Sequence, residues 1–175
     1  MRLLRIVFVT GLHKLLEIEQ GETDSESWQM IMATNVNGPF HMTRAIVPAM
    51  LAQGGGSIIN ISINYETMKR RGFSPYGPSK AALESSSIIW AHDLQDTGIR
   101  LNVLLPGGAT ETGMIPPEVP LEMRARLLRP EVVGAPAVYL ASDASRHLTG
   151  WRLVATEWSS EHPEGHPIEE GIGTK

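Results

Sequence analysis

The sequence predicts an α/β fold with a doubly wound parallel sheet. Short apolar runs with the composition of strands alternate with longer segments whose apolar residues recur at helical spacing. The strand-like runs are apolar at nearly every position, which is typical of strands covered on both faces. Because crossovers between parallel strands are almost always right-handed, we expect helices on both sides of the sheet.

The composition fits one globular domain. The chain has 175 residues, of which 42% are hydrophobic and 19% charged. We expect a single partial domain over residues 1–157 and a flexible tail over residues 158–175, where Ser, Glu, His, Pro and Gly predominate. The net charge of −4 gives no basic surface for nucleic acid. With no cysteine, disulfides and thiolate metal sites are excluded, and we predict no metal site.

The first apolar stretch, residues 3–9, is too short to span a bilayer and is interrupted by Arg5. No small-residue cleavage pattern of a signal peptide follows it. We therefore expect a cytoplasmic protein that makes no contact with membranes.

The elements follow one another in a regular order. Strands are predicted at residues 5–11, 57–63, 99–105 and 151–155. Apolar residues at helical spacing predict a first helical region that begins near a capping residue, Thr23 or Asp24, and ends before Gly54. The same spacing predicts helices over residues 75–95 and 130–142. Gly38 and Pro39 interrupt the first helical region, which predicts either one kinked helix or two stacked helices. The long connection over residues 109–128 is expected to be a binding loop or a lid.

The apolar residues of the first helical region predict which of its faces is buried. Trp28 and Ile31 precede the interruption at helical spacing, and Phe40, Met42 and Met50 continue the pattern after it. We expect these apolar residues to form one face of the helical region.

Tyr76 and Lys80 lie at the start of the helix that follows the second long strand. Residues four apart share one helix face. A phenol with a pKa of about 10 exchanges protons poorly near neutrality, but a neighbouring ammonium favours the phenolate and lowers that pKa. The pair can then give a proton to a carbonyl oxygen or take one from an alcohol. Taken alone, the spacing equally fits a helix with a half-buried tyrosine and a solvated lysine.

Further motifs follow one another along the chain in a specific order. They are Asn35-x-x-Gly38, the strand 57–62, Tyr76-x-x-x-Lys80 with Ala81-Ala82, Asn102-Val103-x-x-Pro106-Gly107, and the segments 140–142 and 148–150. In this order they resemble the short-chain dehydrogenase/reductase family over about residues 22–156. The resemblance implies a Rossmann-like fold and an oxidoreductase that uses NAD or NADP. It also implies hydride transfer between the nicotinamide and a carbonyl or secondary alcohol of a small molecule.

The resemblance assigns roles to residues of this chain. It makes Tyr76 the general acid/base and Lys80 the residue that lowers the pKa of Tyr76 and contacts the nicotinamide ribose. It gives Asn35 the support of a water-linked proton relay. The residues implied to face the nicotinamide are Pro106, Gly107 and Thr112, with Thr110 competing for the threonine role.

One departure from the family pattern concerns the substrate oxygen. The family usually has a serine thirteen residues before the tyrosine, and this chain has Ile63 there. Ser62 is our candidate for the substrate-positioning donor, and Asn64 is the alternative. On a regular strand Ser62 and Ile63 point to opposite faces, so Ser62 needs a local irregularity to take the role.

A second departure concerns the first half of the family pattern. Gly11 ends the first predicted strand, and no glycine-rich phosphate loop follows, because the next glycine is Gly21. We therefore expect a fold truncated in its N-terminal half. The alternative function is that of an inactive family member that acts through subunit association. In either case we expect a homo-oligomer, in which the small residues of the helix over residues 75–95 lie at a subunit contact.

Overall fold

A five-stranded sheet forms the centre of the computed structural model, which describes residues 6–9 and 24–168. The strands follow the order β1–β2–β3–β4–β5 across the sheet. They are β1 (Ile6–Val9), β2 (Gly56–Ile61), β3 (Ile99–Leu105), β4 (Trp151–Val154) and β5 (His166–Pro167). Strands β1 to β4 pair in parallel and β5 pairs antiparallel with β4. The predicted parallel α/β sheet is confirmed, whereas the absence of a phosphate loop concerns residues outside the described part.

The helices cover both faces of the sheet. They are α1 (Ser25–Met32), α2 (Gly38–Ala52), α3 (Tyr65–Met68), α4 (Tyr76–Asp93), α5 (Leu121–Arg124) and α6 (Gly134–Ala141). One core cluster lies under α2 and α4 and includes Met50, Ile58 and Ala91. The other lies under α6 and includes Ile59 and Leu140. Adjacent residues of β2 thus enter opposite cores, as a strand apolar on both faces requires.

A π-helical segment, Ala33–Asn37, joins α1 to α2. The helix therefore continues past Gly38 and Pro39 through a wide π turn. It does not divide into two stacked helices. The buried positions along it are Ile31, Asn35, Pro39, Thr43 and Met50. The predicted apolar face is wrong in part, because Trp28, Phe40 and Met42 are 41%, 44% and 47% exposed. A π turn holds more residues than an α turn, so it rotates the following residues away from the faces that regular spacing assigns.

The first helix begins as the sequence predicts. Asp24 is the N-cap, and its carboxylate accepts hydrogen bonds from the backbone N–H and the hydroxyl of Ser27, both at 2.8 Å. These bonds also lower the pKa of Asp24. Of the two capping candidates, Asp24 takes the role because its carboxylate reaches a free N–H of the first turn.

The segment after β4 differs from the flexible tail predicted for residues 158–175. Residues 158–168 return to the sheet, where β5 pairs with β4 and Ile168 is fully buried. The Ile168 N–H donates to the Gly150 carbonyl at 2.9 Å, and Trp158 packs against the core under α6. Two large apolar side chains thus hold a segment whose average composition is polar. Residues 169–175 lie outside the described part.

Close packing of α4 explains the glycine after Tyr76. A Cβ atom at Gly77 would overlap the backbone carbonyl of Met68 in α3. A Cβ atom at Gly134, the first residue of α6, would have no neighbour within 4 Å. The two glycines therefore form a matched pair for testing this approach.

We expect Gly77→Ala to lower the free energy of unfolding by about 1–3 kcal/mol, since α3 and α4 must move apart. Gly134→Ala should leave stability unchanged or raise it by roughly 0.5–1 kcal/mol through helix propensity. Urea unfolding followed by circular dichroism measures both. Equal stability of the two variants would contradict the close approach of α3 and α4.

Candidate active site

Tyr76 and Lys80 lie on one face of α4, against the carboxyl end of β2. Lys80 is 1% exposed and Tyr76 is 9% exposed. The Lys80 ammonium donates to the Ile61 carbonyl at 2.8 Å, and its nitrogen is 5.8 Å from the centre of the Tyr76 ring. The alternative of a solvated lysine beside a half-buried tyrosine is therefore wrong. A buried lysine hydrogen-bonded at a strand end is the arrangement expected of a functional site.

Burial sets the protonation of both groups. It lowers the pKa of Lys80 to about 8, while the charge of Glu84 opposes the shift. It raises the pKa of Tyr76 to about 12. The expectation that Lys80 brings the Tyr76 pKa down is thus not met in this structure, because loss of solvent around the phenolate dominates. Near neutral pH the pair consists of a protonated phenol and a lysine close to its titration range.

Asn35 is connected to the backbone of Tyr76. It lies in the π-helical segment and is fully buried. Its side-chain N–H donates to the Ser79 hydroxyl at 3.0 Å, and that hydroxyl donates to the Tyr76 carbonyl at 2.7 Å. Within the described residues, the Asn35 side-chain oxygen is buried without a hydrogen-bond partner. The wide π turn thus directs Asn35 towards the start of α4, and a relay through it stays a prediction.

The side chains of β2 alternate between the two faces of the sheet, and this alternation indicates which face Ser62 points to. The Ser57 hydroxyl donates to the Leu140 carbonyl of α6, whereas the Asn60 side chain donates to the Ser87 hydroxyl of α4, both at 2.8 Å. Even-numbered residues therefore face α4, and the same alternation continued past the end of β2 puts Ser62 on the side of Tyr76. The local irregularity expected from the sequence is therefore not needed. Ser62 is 1% exposed, and in the described part of the chain its hydroxyl has no hydrogen-bond partner.

Asn64, the other candidate donor, is engaged elsewhere. Its side-chain N–H donates to the Gly107 carbonyl at 3.1 Å and so joins the end of β2 to the turn after β3. This bond holds the turn after β3 against the end of β2. The unpartnered hydroxyl of Ser62 is more readily available to a substrate oxygen, although its role stays a prediction.

The turn after β3 contains the residues expected to face a nicotinamide. Gly107 has a φ of 97°, and a Cβ atom there would overlap the Thr156 side chain, so glycine is required. Thr110 donates its hydroxyl hydrogen to the Gly108 carbonyl at 3.1 Å. The Thr112 hydroxyl accepts from the Met114 N–H at 3.3 Å and keeps its hydrogen for another acceptor. This difference favours Thr112 over Thr110 as the donor, whereas Pro106 is half-buried at the start of the turn.

Sequence reasoning missed a buried ion pair beside this site. Arg152 of β4 lies 3.3 Å from both carboxylate oxygens of Glu84 in α4, and it donates to the Ile63 carbonyl at 2.8 Å. Its guanidinium also lies 4.0 Å from the centre of the Tyr65 ring. The available signal was a lone Arg152 in the otherwise apolar strand at 151–155, together with the acidic Glu84 among the small residues of the helix at 75–95.

Residues 24–168 contain no cluster of three or more His, Asp or Glu side chains with metal-binding geometry. Each helix of this part is too short or too polar to cross a bilayer.

Comparison with known proteins identifies the family. A family model described as enoyl-(acyl carrier protein) reductase matches residues 5–156, which begins earlier than the resemblance expected from residue 22 and includes β1. Galactitol 2-dehydrogenase (L-tagatose-forming) of Cereibacter sphaeroides is 36% identical over 81% of this chain and 58% of its own. The 3-oxoacyl-[acyl-carrier-protein] reductase of Thermotoga maritima is 32% identical over 71% of this chain and 54% of its own.

Solved structures agree with these relatives. A short chain dehydrogenase from Salmonella enterica is 31% identical, with a TM-score of 0.70 over 78% of this chain and 56% of its own. A structure from Shigella flexneri, assigned as a short chain dehydrogenase and complexed with NADP, is 29% identical, with a TM-score of 0.76 over 86% of this chain and 62% of its own. The chain therefore spans little more than half the length of these proteins. The match over residues 5–156 shows that the chain belongs to the short-chain dehydrogenase/reductase family.

Proposed function

We propose that the protein is an NAD(P)-dependent oxidoreductase that interconverts a carbonyl group and a secondary alcohol. The observation that carries the proposal is the burial of Tyr76 and Lys80 side by side at the carboxyl end of β2. Relatives named as galactitol 2-dehydrogenase and 3-oxoacyl reductase support the class of reaction. The NADP complex of the similar Shigella structure supports the class of cofactor.

The described residues fit the nicotinamide half of such a cofactor. The close packing of Thr156 and Val154 at Gly107 leaves no space for a side chain at the end of β3. Lys80 uses one donated hydrogen bond on Ile61, so an ammonium form keeps further N–H groups for ribose hydroxyls. Thr112 supplies a hydroxyl hydrogen on the same turn. When bound, the nicotinamide supplies or accepts the hydride.

The chain itself handles the proton. In the reducing direction, the protonated phenol of Tyr76 donates its proton to the carbonyl oxygen while the carbonyl carbon gains the hydride. The charged form of Lys80 stabilises the phenolate that remains, because the ammonium lies beside the ring. The Ser62 hydroxyl holds the substrate oxygen, and Asn35 supports the path by which Tyr76 regains a proton. In the oxidising direction each transfer runs in reverse.

Self-association is the second part of the proposal. The outer face of α4 presents Ala81, Ser85 and Ile89 at helical spacing, and Ile89 is 56% exposed. Small residues let a second helix approach closely, and an exposed isoleucine loses water in such a contact. We therefore expect a homo-oligomer. An inactive chain that works through this contact is the competing function, and the next experiment separates the two.

We expect Tyr76→Phe to lower kcat by about 10²–10⁴-fold, because it removes the proton donor and keeps the ring. NAD(P)H absorbance in the presence of carbonyl substrates measures turnover, and circular dichroism confirms that the variant folds. Tyr139→Phe makes the same change in α6 and should keep wild-type turnover. Turnover that survives in Tyr76→Phe would contradict the role of Tyr76, and a folded wild type without turnover would favour the competing function.

We expect the pH dependence of stability to report the burial of Lys80. Its pKa is about 8 in the folded chain against 10.5 for the free group, so the folded chain binds fewer protons between these values. Stability therefore rises with pH across this window, by at most about 1.4 kcal/mol per pH unit, and Lys80→Met lacks this rise. Tyr65 and Tyr76, with raised pKa values, lower stability only above about pH 10.

Urea unfolding of both proteins from about pH 7.5 to 9.5 tests this expectation below the range of the tyrosines. The wild type should gain stability relative to Lys80→Met as pH increases. Parallel curves for the two proteins would show that Lys80 does not titrate in this range and would contradict its burial.

A further inference from the structure

A cavity of about 450 Å³ lies beside the candidate active site. It is bounded by the segment after β2, the turn after β3, and strands β4 and β5, and it shares Gly107 with the turn proposed to face the nicotinamide. Its volume lies in the range of small-molecule sites. Its place at the carboxyl ends of parallel strands is where ligands bind in open α/β sheets. The polar side chains that line it are Asn64, Tyr65, Glu66, Arg152, Glu157 and His166.

Arg152 is held rigidly in the cavity wall. Glu84 neutralises its charge, the Ile63 carbonyl takes one N–H of Nη2, and the Tyr65 ring stacks against the guanidinium. No hydrogen bond among the described residues uses Nη1. The side chain therefore presents a fixed donor whose charge is already balanced.

The remaining lining groups mix acceptors with a donor. The Tyr65 phenol already donates its hydrogen to the Ile168 carbonyl at 3.5 Å, so its oxygen is left as an acceptor. Asn64 uses one side-chain N–H on the Gly107 carbonyl and keeps the other. Glu66 and Glu157 are exposed carboxylates and accept hydrogen bonds. An anion would meet these carboxylates, and an apolar chain would remove water from polar groups without replacing their hydrogen bonds. A neutral molecule with several hydroxyl groups satisfies donors and acceptors together, because each hydroxyl does both.

We propose that this cavity binds the polyhydroxylated part of a neutral substrate, as in an open-chain sugar alcohol or the corresponding ketose. The reaction at the substrate's carbonyl or carbinol carbon rests on the proposed function, whereas binding in the cavity does not. Tyr65 and Glu157 accept hydrogen bonds from the hydroxyl groups through the phenol oxygen and the carboxylate, respectively. Arg152 donates from Nη1, and Asn64 donates from the side-chain N–H that the Gly107 carbonyl leaves free. This assignment differs from a pocket for long acyl or steroid substrates.

Ligand binding tests the proposal without catalysis. Sorbitol and galactitol are titrated into the full chain by calorimetry and by saturation-transfer NMR, with hexan-2-ol as the apolar comparison. We expect saturable binding of a hexitol and weaker binding of hexan-2-ol. Tyr65→Phe and Glu157→Gln should each weaken hexitol binding by about three- to tenfold, the effect of one lost hydrogen bond. Glu161→Gln changes an exposed carboxylate outside the cavity lining and should bind as the wild type does.

Two results would overturn the assignment: no saturable hexitol binding by the folded chain, or equal hexitol affinity in the wild type, Tyr65→Phe and Glu157→Gln. Turnover of ketose and of hexan-2-one, measured in parallel, separates this proposal from the proposed function. Tyr76-dependent turnover of hexan-2-one without hexitol binding overturns the cavity assignment alone. Cavity-dependent hexitol binding together with turnover that Tyr76→Phe leaves intact overturns the proposed function alone.

Discussion

The burial of the Lys80 amino group is the constraint on which the site depends. A buried amine must keep a hydrogen bond, and the Ile61 carbonyl provides one because it lies just where β2 ends. The helix that carries Lys80 must therefore approach the sheet closely. Gly77 makes this possible at the start of α4, where a side chain would overlap α3. The same approach encloses Tyr76, and this burial raises its pKa to about 12.

Close approach of α4 also explains the polar residues buried between it and its neighbours. Ser79 receives the Asn35 side chain from the π-helical segment, and Ser87 receives the Asn60 side chain from β2. Both serines are small enough for the helix to lie close and polar enough to partner a buried amide. The small residues of α4 thus allow close packing and hydrogen bonding on its buried face. On its exposed face, small residues are proposed to form the subunit contact.

Hydrogen bonds then bring the ends of separate strands together. Asn102 of β3 donates to the Leu148 carbonyl and accepts from the Trp151 N–H, so it sets where β4 begins. Arg152 of that strand reaches Glu84 and the Ile63 carbonyl, which lies where the family usually has a serine. Removing one partner of such a buried pair leaves an uncompensated charge, a cost of about 3–5 kcal/mol. The pair therefore ties the segment after β2 to the sheet and shapes the adjacent cavity.

Much of the fold follows from local pattern, while the missed features depend on contacts far apart in sequence. β3 has the predicted bounds because five of its seven residues are apolar, Gly98 precedes it, and Pro106 and Gly107 follow it. The pairing of Tyr76 with Lys80 follows from helical spacing alone. The Glu84–Arg152 pair joins residues 68 positions apart. Ile168 is buried in a site that forms only when residues distant in sequence have packed together. The Tyr76 pKa depends on burial, which spacing does not reveal.

We propose that the described residues form a working nicotinamide half-site around Lys80 and Gly107. Titration of the full chain with NADPH and with NADH, followed by nicotinamide fluorescence and by thermal unfolding, tests it most directly. We expect saturable binding and a Tm that rises with ligand concentration, since a ligand that binds the folded state stabilises it. A folded chain that shows neither saturation nor stabilisation with either nucleotide would contradict it.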